Sequence, residues 1–286
     1  MKILVFGKTG QLAQELARHE SAHTMTLLGR EDADFSDPQA CATQVERSAA
    51  DAVINAVAYT AVDKAESEEA LAQRINAETP GAIARAAAKK GLPLVHVSTD
   101  YVFDGRGDAP FAPAAATAPM GAYGRTKLAG EQAVAAAGGA YAILRTSWVV
   151  SAHGNNFVKT MLRLGAERDN LSVVADQIGG PTPAADLARA CISAAARLRD
   201  TPEKSGIYHV SGAPDVSWAG FAREIFSQAG LGCTVTDIPS SAYPTPATRP
   251  LNSRLDNAST LAAFGLPQPD WRVGLHDILF ELGALK

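Results

Sequence analysis

The chain has 286 residues, 47% hydrophobic and 20% charged, which is the composition of a folded protein of one or two domains and excludes intrinsic disorder. A net charge of −4, a pI near 5.9 and scattered basic residues exclude a nucleic-acid-binding surface built on a Lys/Arg patch. Cys41, Cys191 and Cys233 lack the spacing of a disulfide framework or zinc site and suit a reducing cytoplasm; no apolar run approaches the ~18 residues of a membrane span.

Short β-branched runs alternate with alanine-rich stretches, which predicts an α/β fold of Rossmann type, a doubly wound parallel sheet covered on both faces. Residues 3–6 read as the first strand, 11–18 as a helix, 24–28 as the second strand and 51–57 as the third. Residues 66–90 read as mostly helical, with Pro80 dividing the run or starting a second helix. A strand over 92–103, a helix over 123–137 ended by Gly138-Gly139, and a strand over 141–150 follow. Beyond residue 150 the alternation loosens. Helices are expected at 156–167, 183–199, 218–229 and 271–282, with short strands at 171–174 and 207–210. These divide the chain into a dinucleotide-binding domain over 1–150 and a smaller, mixed substrate domain over 151–286, with 181–212 returning to the first sheet. Four prolines between Pro239 and Pro250 stiffen a long loop that reads equally as a binding loop or a surface meander.

Gly7-Lys8-Thr9-Gly10-Gln11-Leu12-Ala13 lies between the first strand and the first helix. Small residues at positions 7, 10 and 13 let the turn tighten, the backbone approach a pyrophosphate and the helix pack on the sheet, with free N–H groups at the helix start. The second strand ends in Leu28-Gly29-Arg30 rather than in an acidic residue. A guanidinium pairs with a ribose 2′-phosphate, so Arg30 favours NADPH over NADH, unless Glu31 and Asp32 neutralise it. Asp34 and Phe35 are placed to flank the adenine, and Asn55, Ala56, Val57 and Ala58, continuing into Tyr59 and Thr60, to line the cofactor.

Tyr123 and Lys127 are four apart on a predicted helix and share a face. Free tyrosine has a pKa of ~10. An ammonium at ~4 Å contributes about 4 kcal/mol at an effective dielectric of ~20, enough to bring the phenol toward neutrality. Tyr123 then protonates a forming alkoxide, Lys127 lowers the phenol pKa and holds the nicotinamide ribose, and Thr99, at a strand's carboxyl end, orients the carbonyl oxygen. A Tyr-x-x-x-Lys pair alone is common on solvated helix faces. The order of glycine turn, Ser98-Thr99 at a strand end and Tyr/Lys on the next helix is what makes it specific.

Gly7 to Leu12, Thr60 to Glu66, Ser98 to Phe103, Tyr123 to Glu131, Arg145 to Val149, Gly154 to Phe157 and Arg249 to Ser253 run in one order along nearly the whole chain. In these stretches the chain resembles the extended short-chain dehydrogenase/reductase family, and within it the reductases of dTDP-4-dehydrorhamnose. The resemblance implies reduction of the 4-keto group of a dTDP-sugar by NADPH or NADH, the last step to dTDP-L-rhamnose, with Thr99, Tyr123 and Lys127 in the roles above. It places Asp100 and Trp148 near the sugar, with core packing as the rival role for Trp148, and assigns Arg249 and Asn252 to the nucleotide diphosphate. Related dehydratases carry a carboxylate pair where this chain has Asp100-Tyr101, and no Cys or His stands in the matching loops as an epimerising base, so a pure reductase is expected. Some family members dimerise through a magnesium site built from glutamates. Glu15 matches one, but Ala185, beside Asp186, departs from the pattern, which puts a magnesium site in doubt; the oligomeric state is not readable from the sequence, with a homodimer as one possible assembly. Two rival functions are an NADP-binding regulatory subunit of the methionine adenosyltransferase type and a reductase of another dTDP-4-keto-6-deoxy sugar.

Overall fold

The computed structural model describes residues 1–19 and 23–285. Strand β1 (Lys2–Phe6) is exposed only at Lys2, and its four apolar residues are buried, as expected of a parallel strand covered on both faces. The chain then turns through Gly7, whose φ of +116° suits a residue without a Cβ, into α1 (Gln11–Ala17) and β2 (Thr24–Leu28). Helix α2 (Pro38–Arg47) was not among the predicted elements, although its signal is local: Asp37 accepts the Gln39 and Ala40 N–H groups, and Pro38 opens the first turn.

After β3 (Ala52–Asn55) and the short α3 (Val62–Ala65), the run expected to be mostly helical over 66–90 is α4 (Glu69–Gln73), one π-helical turn over Arg74–Glu78 and α5 (Thr79–Lys89), which follow one another without a gap, with Pro80 in the first turn of α5. Strand β4 (Leu94–Thr99) stops short of the expected residue 103 because Thr99 caps a 3₁₀ turn over Asp100–Val102. Helix α6 (Ala122–Ala135) leads to β5 (Tyr141–Thr146). The single strand expected over 141–150 breaks at Trp148, where φ is +48°, a strained value for a bulky side chain. The short β6 (Val149–Val150) then leaves the main sheet.

The second half contains α7 (Phe157–Glu167), β7 (Asn170–Val174), β8 (Ile178–Gly179), β9 (Thr182–Pro183), α8 (Ala184–Asp200), β10 (Gly206–His209), β11 (Val216–Ser217), α9 (Trp218–Gln228), β12 (Thr234–Ile238), β13 (Asn252–Ser253), α10 (Ala258–Phe264) and α11 (Trp271–Glu281).

Six parallel strands form the main sheet in the order β10-β5-β4-β3-β1-β2. Helices α1 and α8 bury Leu12, Leu16, Leu187 and Leu198 on one face. Helices α2, α5 and α6 bury Val45, Ile83 and Val134 on the other. The sheet is doubly wound: β1 pairs with both β2 and β3, so the winding reverses there and opens a crevice at the carboxyl ends of β1 and β3. Around β7–β12 and the small sheet β11-β8-β13, helices α7, α9 and α11 close a second core on Phe221, Phe226, Trp271 and Leu275. Among the described residues, no helix is long and apolar enough to cross a membrane.

Candidate active site

Gly7 and Gly10 frame the turn after β1. A Cβ on Gly7 would sit 3.5 Å from Ala13, Ala56 and Val57, whereas Gly10 has open space around it. No side chain caps the start of α1, which leaves its first N–H groups for an anionic ligand. This cradle fits a dinucleotide pyrophosphate. The Leu12 side chain belongs to the core, so only its backbone serves the cradle. Gln11 braces the cradle against the second half: Nε2 donates to the Val149 carbonyl at 3.3 Å, and Oε1 accepts from Ser151 and from Asn156, each at 2.9 Å. Ala56, Ala58 and Tyr59 are partly exposed and Thr60 is exposed along the next loop.

At the ribose end two expectations change. Arg30 is 86% exposed, and its partner is Asp34 at 3.7 Å rather than Glu31 or Asp32. Asp32 instead accepts the Gly29 N–H, and Glu31 pairs with Lys8 at 3.1 Å. Lys8 is thus a second cation beside the glycine turn that the sequence reading passed over. Asp34 is held by Arg30 and by the Ser36 N–H, and Phe35 is buried edge-on against Phe6 with centroids 5.6 Å apart. Phe35 is therefore part of the core and does not flank an adenine with its ring.

Helix α6 is seated by close approaches and borrowed caps. Its N-cap, Gly121, offers no side chain, and Glu66 accepts the Ala122 N–H at 2.8 Å. A Cβ on Gly124 would lie 2.2 Å from the Tyr101 carbonyl, so only glycine lets the helix meet the 3₁₀ turn. Asn76, on the π turn, donates to Thr126 Oγ1 at 3.1 Å and accepts the Tyr59 N–H at 2.8 Å, joining α6 to the cofactor-side loop. Such π turns often lie at functional sites.

Tyr123 packs edge-on against Tyr101, with centroids 5.4 Å apart. Tyr123 is partly exposed, but the protein packed around its phenol pushes it up to about 12, with the Thr99 hydroxyl pulling the other way. Thr99 Oγ1 donates to Asp100 at 3.1 Å and accepts the Tyr101 N–H at 3.2 Å. Asp100 is buried, which raises it to about 6 against the hydrogen bonds it accepts, and its Oδ2 lacks a well-aligned partner. Lys127 is buried and lowered to about 8 by that burial, with Glu131 opposing. Its Nζ donates to the Val97 carbonyl at 2.7 Å. The expectation that Lys127 brings the phenol down toward neutrality is not met: burial dominates at Tyr123, and the lysine is turned onto β4.

The substrate-side candidates divide. Trp148 stacks on Trp218 at 3.6 Å, so it takes part in an aromatic stack while remaining partly exposed. Arg249 donates to Asp63 at 2.8 Å and, with Asp63, acts electrostatically on Tyr101, which ties the proline loop to the site. Asn252 is buried and its amide is committed. Nδ2 donates to the Arg106 and Ala109 carbonyls, and Oδ1 accepts from Arg254, so Asn252 fastens a loop rather than offering a diphosphate ligand. Below the site, Arg145 and Glu131 form a buried two-pronged ion pair at 2.9 and 2.6 Å. Ser98 donates to the same carboxylate at 2.6 Å. The charged position inside the apolar run of β5 was the signal for that pair.

Glu15, His153 and Glu281 bring one candidate ligand atom each within 4.8 Å of one another. The sequence reading had only Glu15. His153 lies in the loop after β6 and Glu281 ends α11, so nothing in their spacing announced them. Asp186, beside Ala185, is bound to Arg189 instead.

The family model described as RmlD substrate binding domain matches residues 1–283. The dTDP-4-dehydrorhamnose reductase of Salmonella typhimurium is 44% identical, over 99% of this chain and 98% of that protein. A crystal structure of a dTDP-4-dehydrorhamnose reductase from Clostridium acetobutylicum superposes with a TM-score of 0.92 at 37% identity, covering 99% of this chain and 100% of that one. The dTDP-4-dehydrorhamnose reductase of Bacillus anthracis, solved in complex with NADP, gives 0.90 at 36% identity, covering 98% and 99%. The chain belongs to the RmlD substrate binding domain family, alongside dTDP-4-dehydrorhamnose reductases.

Proposed function

We propose that this protein is an NADPH-dependent oxidoreductase that reduces the 4-keto group of dTDP-4-dehydro-L-rhamnose to give dTDP-L-rhamnose. The observation that carries the reading is that Thr99, Tyr123 and Lys127 gather where β4 ends and α6 begins, on a sheet that also carries a dinucleotide cradle, in a chain 44% identical to such a reductase over nearly its full length. We assign residues 1–150, with the returning segment 181–212, to the cofactor and the remainder to the sugar nucleotide.

A reduced nicotinamide supplies the hydride for the carbonyl carbon. Thr99 holds the carbonyl oxygen through its hydroxyl, and Tyr123 delivers its phenolic proton to that oxygen as it becomes an alkoxide. A phenol pushed up to about 12 is fully protonated at neutral pH, which is the form a reduction requires. Once the proton has left, Lys127 stabilises the phenolate and reprotonates it. Gly7, Gly10, Gln11 and the Leu12 backbone hold the pyrophosphate, with Lys8 and Arg30 at the 2′-phosphate. Asp100 and Trp148 face the sugar, and Arg249 meets the diphosphate.

The buried free thiols Cys41, Cys191 and Cys233 suit a reducing cytoplasm. The exposed Val273 and Phe280 on α11 support a homodimer. The test of the activity is loss of NADPH absorbance on adding dTDP-4-dehydro-L-rhamnose, with dTDP-L-rhamnose identified as product. A protein that binds NADPH but oxidises none with this sugar nucleotide is instead a cofactor-binding regulator, and a different C4 epimer as product assigns it to another deoxysugar.

A further inference from the structure

His96 lies in β4, two residues before Ser98, and is completely buried. Its ring nitrogens face different partners: Nδ1 is 3.0 Å from Asn55 Nδ2, and Nε2 is 3.5 Å from Lys127 Nζ. The Asn55 amide is not free to turn over, because its Oδ1 accepts the Val57 N–H at 3.0 Å, which leaves the NH₂ group toward His96. A ring nitrogen that faces an NH₂ group must accept, so Nδ1 keeps its lone pair. The single proton of the neutral ring is then on Nε2, pointing at Lys127. An imidazolium would set N–H against N–H at Asn55, and burial together with Lys127 holds His96 well below the usual histidine range.

We propose that Asn55 and His96 are a positioning pair for the reduction: Asn55 fixes the imidazole with its proton on Nε2, so that the buried side of Lys127 meets a donor that only its amine form can accept. At 3.5 Å the two nitrogens stand farther apart than in an ordinary N–H hydrogen bond, which leaves room for two protonated groups to face each other. When the Tyr123 phenolate takes a proton from the Lys127 ammonium, a phenol and an amine result, and the new lone pair accepts the His96 Nε2–H. The amine is reprotonated from water between turnovers. The groups around Lys127 act in opposed directions. Glu131, on the same helix, favours the ammonium. The Val97 carbonyl accepts from either form. Tyr123 lies one turn away on α6 with Asp100 acting on it, and Asn55 acts from β3 through the ring.

The role of Lys127 rests on the proposed reduction, whereas the state of the His96 ring does not. The test is therefore long-range ¹H–¹⁵N NMR of the full chain labelled in histidine, with His96 identified by its loss in His96→Gln. The expected result is a neutral ring protonated on Nε2 from about pH 6 to about pH 9; a ring protonated on Nδ1, or charged, overturns the proposal. In Asn55→Asp a carboxylate replaces the NH₂ group. The ring should reverse to Nδ1–H, Lys127 should face a lone pair, and the alkaline limb of kcat/KM should move up by about one pH unit or more. A reversed ring with an unmoved limb overturns it. Should Asn55→Asp not fold, His96→Gln supplies the kinetic arm: its carbonyl oxygen has two lone pairs and accepts from the Asn55 NH₂ group and the ammonium together, so the limb moves up, and an unmoved limb again overturns the proposal. Failure of the wild type to reduce the sugar nucleotide would remove the proposed function and leave the NMR result standing.

Discussion

Asp63 and Arg249 are 186 positions apart in the chain and 2.8 Å apart in space. Asp63 also accepts the Ala247 N–H at 3.1 Å, so one carboxylate on α3 anchors the proline loop. Three residues later Glu66 caps the helix that carries Tyr123. The two acidic residues of the Thr60-to-Glu66 motif thus tie the substrate loop and the catalytic helix to one short segment. Asp63 is substantially exposed, and an exposed pair contributes only ~0–1 kcal/mol to stability. Asp63→Ala should accordingly leave the melting temperature within a few degrees of wild type while raising KM for the sugar nucleotide several-fold. An unchanged KM in steady-state kinetics would show that the anchor does not serve binding.

The Arg145–Glu131 pair behaves differently because both side chains are buried at 2% exposure. Removing one member strands the other's charge, at a cost of about 3–5 kcal/mol. Arg145 also donates to the Pro113 carbonyl at 3.0 Å and lies over the Phe103 ring. Arg145→Ala should therefore lower the unfolding free energy by at least that amount in urea titration. A loss below about 1 kcal/mol would mean that water reaches the pair.

Cofactor choice should depend on two cations rather than one. Lys8 and Arg30 both have acidic partners, Glu31 and Asp34, and a 2′-phosphate would compete with these exposed carboxylates. The double variant Lys8→Ala, Arg30→Ala should reduce the preference for NADPH over NADH by about 10-fold, equivalent to ~1.4 kcal/mol. Unchanged ratios of kcat/KM would place both side chains in solvent during catalysis.

The rate should fall on the alkaline side. Lys127 is needed as an ammonium to stabilise the phenolate, and its pKa is lowered to about 8. As pH rises through that value the charge is lost, so kcat/KM should decline with a midpoint near pH 8 and be unaffected by this group below it. A profile level to about pH 10, the range of an unperturbed lysine, would show that Lys127 keeps its charge through solvent contact.

The strand–helix alternation, the glycine turn and the Tyr123/Lys127 spacing were legible in the sequence because each depends on local periodicity or on a residue type with one conformational use. Asp37-Pro38 is an equally local helix start, an Asp N-cap followed by Pro in the first turn. Other features had no local signal. Trp148 breaks the strand over 141–150 because its backbone turns left-handed against Trp218, a residue seventy positions away in sequence. Asn252 resembled a ligand until its amide proved to be occupied by the Arg106 and Ala109 carbonyls. Phe35 lies at the expected place in the chain but turns inward, because Phe6 offers it an apolar face. Tyr123 and Lys127 were correctly placed on one helix. Their mutual electrostatics were not, because a pairwise Coulomb estimate omits the desolvation of both groups.

The most direct test of the central claim is turnover of Tyr123→Phe with NADPH and dTDP-4-dehydro-L-rhamnose, measured beside the NADPH dissociation constant. Loss of the phenolic proton should slow kcat by about 10²-fold or more, with NADPH binding near normal. Turnover at the wild-type rate would remove Tyr123 as the proton donor and contradict the account.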